Sequence, residues 1–183
     1  NPETLEEVPL EEEGMICIGE DDPGLFLEYW QLEEETQKAR HDGYFFTGDY
    51  AKRDKDGYIW FIGRKDDIIN TFGFRVSPHE IERVVKTHDD VADCVAFGLD
   101  IEKEKTIVAI AVIGHQELSA EKQDEILKYA QANLAKYKAP KMIYAMADYP
   151  RTKNGKVLRK QLVKQLHEQY HAQEAGEEVV EYK

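Results

Sequence analysis

The chain has 183 residues, 42% of them apolar and 33% charged, and its formal net charge is −13. That mixture excludes fibrous and low-complexity chains and leaves room for one good core or two small ones. No apolar run nears the roughly eighteen residues that span a bilayer, and the opening NPETLEEVPLEEEG has neither the basic nor the apolar stretch of a secretory leader, so a cytoplasmic protein with no transmembrane segment is expected.

In chain order, GMICI (14–18) and LFLEYW (25–30) read as short strands separated by the turn-forming EDDPG, and LEEETQKAR (32–40) as a polar surface helix. DYAKRD, the turn DKDG and YIWFIG form a hairpin whose Asp-Gly step suits such a turn. DIINTFGFRV gives two further short strands hinged at Gly73. A helix follows, with Ser77 and Glu80 placed to form a capping box, Pro78 in the first turn, and Ile81, Val84 and Val85 on one apolar face. VADCVAFGL and TIVAIAVI are strands, and a second helix from Ser119 buries Ile126, Ala130, Leu134 and Tyr137 before YKAPK breaks it. KMIYAMAD is a last strand, VLRKQLVKQLHEQY a last helix, and the end of the chain reads as a frayed acidic tail.

From residue 67 onward this order fits an α+β domain, a small mixed sheet with packed helices. Residues 1–65 are mostly β and too short to bury a core of their own, so they read as one edge of something larger. The expected division is 1–65, 66–170, and an acidic, disordered tail at 171–183.

Charge is unevenly distributed. Residues 1–43 carry fourteen carboxylates against Lys38 and Arg40, a balance of −12, so the remainder is nearly neutral. Against that background DYPRTKNGKVLRK (148–160) gathers five basic side chains around one acid and should attract phosphates. Cys17 and Cys94 are too few for a disulfide scaffold and suggest a reducing compartment, both as buried small hydrophobes.

Several residues could carry chemistry. In YFFTGDY, Asp49 has two oxygens that match a vicinal diol if it sits on a tight turn, or it simply ends a strand. Arg64 has a fork that suits phosphate, while Asp66 and Asp67 are metal ligands or a turn, with no His or Glu at ligand spacing to favour the metal. Gly73 marks either a close backbone approach to a ligand or an ordinary bend. The Gly155-Lys156 pair is not a phosphate-binding P-loop, because Pro150 stands where the first glycine belongs and Val157 where Ser or Thr belongs. Nucleic-acid binding would need a broader basic face. His167 and His171 lie one helical turn apart without a third ligand, and read as solvated tail residues.

Taken together, GYFFTGDYAKRDKDGYIWFIGRKDDIINTFGFRVSPHEIE, then YKAPK, then YPRTKNGKVLRKQL resemble the C-terminal third of the adenylate-forming superfamily: acyl-CoA synthetases, peptide-synthetase adenylation domains and luciferases. The resemblance runs from about Gly14 to Leu162, and EGMICIGEDDPGLFLEYW resembles the stretch that closes the β-barrel part of that family's large domain. It implies a fragment of an AMP-forming acyl-CoA synthetase whose phosphate loop and adenine motif lie elsewhere, inactive alone. In the complete protein a carboxylic acid and ATP, with Mg2+, would give an acyl-adenylate, and coenzyme A would then take the acyl group after the small domain rotates.

The resemblance assigns Lys156 as the adenylation lysine, on a loop that Pro150 and Gly155 would let swing in and out. It assigns Asp49, Arg64 and Arg75 to the nucleotide, Asp66 to the hinge, and Gly73 with Phe74 to the passage for coenzyme A. Arg151, Lys153, Arg159 and Lys160 are left as supporting field and solvated surface. No metal ligand and no nucleic-acid partner is expected. Transfer to a carrier protein instead of coenzyme A, or a non-catalytic docking or regulatory module, are the alternatives.

Overall fold

A computed structural model describes residues 1–102 and 105–175, and the chain divides into two units, Asn1–Asp67 and Ile68–Lys183. The first contains strand β1 (Glu13–Gly19), helix α1 (Glu33–Ala39), and strands β2 (Arg40–His41), β3 (Tyr44–Arg53) and β4 (Ile59–Arg64). The long β3 organises it. β1 runs antiparallel along β3 from Glu13 opposite Lys52 to Gly19 opposite Tyr44, while β2 pairs with its first two residues and β4 with Asp49 to Arg53. The β3–β4 turn is held by Asp54, whose carboxylate accepts from the backbone N–H of Asp56 and Tyr58 and from the Trp60 indole at 2.7 Å.

The strand expected at 25–30 is absent, and the segment is irregular. Its polar backbone groups are met from the neighbouring corner: the Tyr29 N–H donates to the Thr36 hydroxyl, and the Phe26 carbonyl accepts from the Arg40 guanidinium. Once those groups are satisfied, apolar composition alone does not make a strand.

The second unit contains β5 (Ile69–Thr71), β6 (Phe74–Val76), α2 (Pro78–Val85), β7 (Val91–Glu102), β8 (Lys105–Gly114), α3 (Ala120–Asn133), β9 (Met142–Ala145) and α4 (Arg159–Ala175). β7 and β8 are antiparallel, and β9 adds parallel to β8. The near-continuous apolar runs of β7 and β8 follow from burial on both faces. Cys94, Ala96, Val108, Ile110 and Val112 join Ile81 and Val85 of α2 and Ile126 and Ala130 of α3. The alternate residues Val95, Phe97, Leu99, Ala109 and Ala111 join Tyr149 and, from α4, Leu162 and Leu166. Helices thus cover both sides of the sheet, an α+β arrangement, and each fully buried leucine contributes roughly 2 kcal/mol.

Three helix ends depart from expectation. Ser77 occupies the N-cap of α2 but its side chain makes no capping hydrogen bond, and both Glu80 oxygens accept from Lys138 Nζ at 2.8 and 2.6 Å. A nearby ammonium is a stronger partner for a carboxylate than a neutral N–H. Helix α3 stops at Asn133, and Leu134 turns extended to pack against the core, leaving Tyr137 exposed and off the helical face. Helix α4 continues to Ala175, into the stretch expected to be a tail, and 176–183 lie outside the described residues. None of the described helices is long and apolar enough to cross a membrane.

Candidate functional site

Residues 151–157 form a small closed hairpin. Arg151 and Val157 make an antiparallel bridge. The Thr152 N–H donates to the Lys156 carbonyl at 2.8 Å, and the Lys156 N–H donates back to the Thr152 hydroxyl at 3.1 Å. The Gly155 N–H donates to the Thr152 carbonyl and the Leu158 N–H to the Pro150 carbonyl, at 2.9 and 2.7 Å. Gly155 closes the turn at φ +82, where a β-carbon would be strained. Both stems and the turn of this segment, where Pro150 and Gly155 suggested a swinging loop, thus carry backbone hydrogen bonds.

Both stems are anchored by cations expected to be solvated. The Arg151 guanidinium donates to Asp148 at 3.2 Å, to Asp93 at 3.5 Å and to the Gly155 carbonyl at 3.1 Å. Just before it Tyr149 is buried, its hydroxyl donating to the Ala111 carbonyl at 2.8 Å; burial pushes that phenol's pKa well up. On the other stem Arg159 donates to the Ala96 carbonyl at 2.7 Å and to Glu82 Oε1 at 2.6 Å. Lys156 itself is exposed, and its ammonium makes no ion pair among the described residues.

Glu82 is the residue that sequence reasoning missed. Only 7% exposed on α2, it also accepts from the Ala96 N–H at 2.9 Å and lies 3.2 Å from His79 Nδ1. Burial raises its pKa, but the hydrogen bond from His79, the charge and hydrogen bond of Arg159 and the Ala96 N–H outweigh it and hold the carboxyl below the usual range. The available signal was its position next to Ile81 on the inward side of an amphipathic helix.

Gly73 and Phe74 lie at the tip of the β5–β6 hairpin. Phe72 and Gly73 form its two-residue turn, at φ 48 and +80, the left-handed pair that a type I′ turn requires. Phe74 stacks on Tyr137 with ring centroids 4.5 Å apart. On the Phe72 side a groove of about 300 Å³ is floored by Ile107 and Val108 and edged by Lys136, Tyr137 and Lys141. Arg75 follows on β6, exposed and without an ion pair among the described residues.

Asp49 and Arg64 come together in the first unit. They face each other across β3 and β4, with Arg64 Nη1 3.3 Å from Asp49 Oδ1. Asp49 neither sits on a tight turn nor ends its strand. Thr47, Gly48 and Asp49 bulge out of β3 opposite Ile16 alone, where the Thr47 hydroxyl donates to the Ile16 carbonyl at 2.8 Å and the Asp49 N–H donates to Thr47 Oγ1 at 3.1 Å. Such a bulge re-aims a side chain while the strand continues. Asp66 lies in the turn at 65–67, just before the division between the units.

Other candidates take structural roles. His167 Nε2 lies 2.9 Å from the Gly98 carbonyl, so this half-buried ring is partnered by the sheet, while His171 is exposed as expected. Among the described residues no three His, Cys, Asp or Glu gather to hold a metal ion. Cys94 is buried, which pushes its thiol above the ordinary range, but Cys17 is exposed, contrary to expectation.

Residues 80–156 match the family model of the AMP-binding enzyme C-terminal domain. The chain is 32% identical over 157 residues to the acetyl-coenzyme A synthetase of Rhodobacter capsulatus, covering 83% of this chain and 24% of that protein. It is 33% identical over 156 residues to a long-chain-fatty-acid–CoA ligase of Salmonella typhimurium, covering 85% and 27%. ATP-bound MatB from Rhodopseudomonas palustris superposes with a TM-score of 0.79 at 31% identity, over 92% of this chain and 33% of that one. The chain thus spans about a quarter of the length of these curated relatives. It belongs to the adenylate-forming CoA ligase family, and its second unit carries the C-terminal domain of the AMP-binding enzymes.

Proposed function

We propose that this chain is the C-terminal portion of an ATP-dependent carboxylate–CoA ligase, and that Lys156 is the cation that serves acyl-adenylate formation. The observation that carries the reading is the match of residues 80–156 to the C-terminal domain of the AMP-binding enzymes, with Lys156 beside the Gly155 turn presenting an exposed ammonium from a hydrogen-bonded hairpin whose flanking Arg151 and Arg159 are used in anchoring. Attack of a carboxylate on the α-phosphate of ATP joins two anions, and charge builds on the phosphate oxygens in the transition state. A preorganised cation on a long stem stabilises that charge more than the ground state. Asp49 would accept hydrogen bonds from the ribose hydroxyls, with Arg64 fixing its orientation and reaching toward the ribose or phosphates; Arg75 adds an open cation for nucleotide or coenzyme A phosphate.

In the same reading residues 1–65 close the large adenylation domain, 66–170 form the mobile domain, and Asp66 is its hinge. Gly73 and Phe74 line the passage for the pantetheine arm of coenzyme A, and the apolar groove beside Phe72 supports that placement. Magnesium would be held with ATP by the large domain, and the isolated chain would form no adenylate. The setting is a reducing, cytoplasmic one, in keeping with two free thiols.

The test is Lys156→Ala in the complete enzyme. Adenylate formation, followed by pyrophosphate exchange, should fall several hundredfold, since loss of one such donor typically costs about 10² to 10³ in rate. Thioester formation from supplied acyl-adenylate and coenzyme A should hold. Equal loss in both half-reactions removes the assignment.

A further inference from the structure

The lysine hairpin is tied to β7 at both ends. Arg151 reaches Asp93 on β7, which is also held by Lys86 Nζ at 2.6 Å. Arg159, three residues beyond Lys156, reaches the Ala96 carbonyl on the same strand and the buried carboxylate of Glu82 on α2. Glu82 Oε1 in turn accepts the Ala96 N–H, so carboxylate and guanidinium together close on both backbone groups of one sheet residue. Both side chains are largely withdrawn from solvent: Arg159 is 19% and Glu82 9% exposed at the side chain.

A buried ion pair is a poor source of stability, because desolvating two charges cancels most of their attraction, and apolar residues of similar volume often do as well. Direction is what the pair supplies. A planar fork bonded to a carbonyl on one side and a carboxylate on the other has one orientation, and a greasy side chain at position 159 would have several. That orientation fixes the first residue of α4 against β7, and with it the stem from which Lys156 projects.

We propose that the Glu82–Arg159 pair is a positioning device for Lys156, setting where its ammonium arrives and acting on the adenylation half-reaction alone. This rests on Lys156 being the adenylation lysine. Neither residue touches the reacting groups, so both work through the hairpin. Misplacing a reacting group by about 1 Å costs up to roughly 100-fold, which bounds the effect from above.

The experiment uses the complete enzyme and compares Arg159→Lys, Glu82→Gln, Lys156→Ala and the Arg159→Lys/Lys156→Ala double variant in the two half-reactions. Arg159→Lys keeps the charge and loses the fork. Adenylate formation should fall about 10- to 100-fold, with thioester formation from supplied acyl-adenylate within twofold of the parent. The double variant should be no slower than Lys156→Ala, because positioning an absent ammonium has no effect. Hydrogen exchange should quicken at the Thr152, Gly155, Lys156 and Leu158 amides and not in the centres of β7 and β8.

Equal losses in both half-reactions, multiplicative losses in the double variant, or unchanged exchange at those four amides would each overturn the proposal. Should Arg159→Lys not fold, Glu82→Gln/Arg159→Met removes both charges together and must show the same selective loss. If Lys156→Ala itself slows both half-reactions equally, the lysine assignment fails, whereas the exchange measurement still reports whether the pair holds the hairpin.

Discussion

The two units bury their apolar residues in opposite ways. In the second, both faces of one sheet are covered, and Val76, Ile81, Leu99, Ile110, Val112, Ile126, Leu162 and Leu166 are essentially inaccessible. In the first, only Phe45, Tyr50 and Ala51 are buried among the apolar residues, while Leu27 is 89%, Trp30 81% and Tyr58 69% exposed. A sheet with helices on both sides supplies its own cohesion. A sheet whose aromatic residues remain in water draws its order mainly from backbone ladders and turn chemistry, which contribute little net free energy.

The strongest way to break this contrast is to separate the halves. Expressed alone, residues 68–175 should melt cooperatively by circular dichroism with dispersed amide resonances, and residues 1–67 should show neither; an ordered N-terminal piece would show that its ladders suffice. Next in size, Ile110→Ala should destabilise the second unit by about 3 kcal/mol in urea, whereas Trp60→Ala in the first should cost about 1 kcal/mol or less.

A pH series sharpens the contrast further. Glu82 has its folded pKa held below the ordinary 4.5, so its contribution is fully present above that value and is lost as pH falls through the folded pKa. Acid should therefore weaken the second unit with a slope that Glu82→Gln removes, read as urea midpoints between neutral pH and pH 3. An unchanged slope would mean that other carboxylates dominate. Within the second unit a smaller effect than that of Ile110→Ala is expected from Gly73→Ala: with φ at +80 and open space around the added methyl, backbone strain alone should cost about 1 to 2 kcal/mol in urea.

How much of this was legible depended on whether the cause was local. The Gly73 turn, the Asp-Gly hairpin and the apolar strands of the second unit are written in adjacent residues, through positive φ and runs of buried side chains. The bulge at Thr47-Gly48-Asp49 was not, because its geometry depends on Ile16 in a distant strand. Glu82 was missed and Arg159 misread for a related reason. A charged residue defaults to the surface unless its partner is known, and their partners lie 77 residues apart in sequence. The same default hid Lys138 from Glu80 and left the apparent capping box unused.

The closed hairpin at 151–157 has a consequence for time as well as place. A free loop of that length would sample its positions within nanoseconds to microseconds, and would deliver or withdraw its cation faster than chemistry could notice. Held to β7 through Arg151 and Arg159, Lys156 would have little such private motion beyond the rotamers of its own side chain. In the proposed ligase its backbone would travel only as fast as the whole domain turns, on the microsecond-to-millisecond scale of rigid-body motion. The ammonium would then act as a clock hand fixed to its wheel, and the interval between the two half-reactions would be sensitive to solvent viscosity.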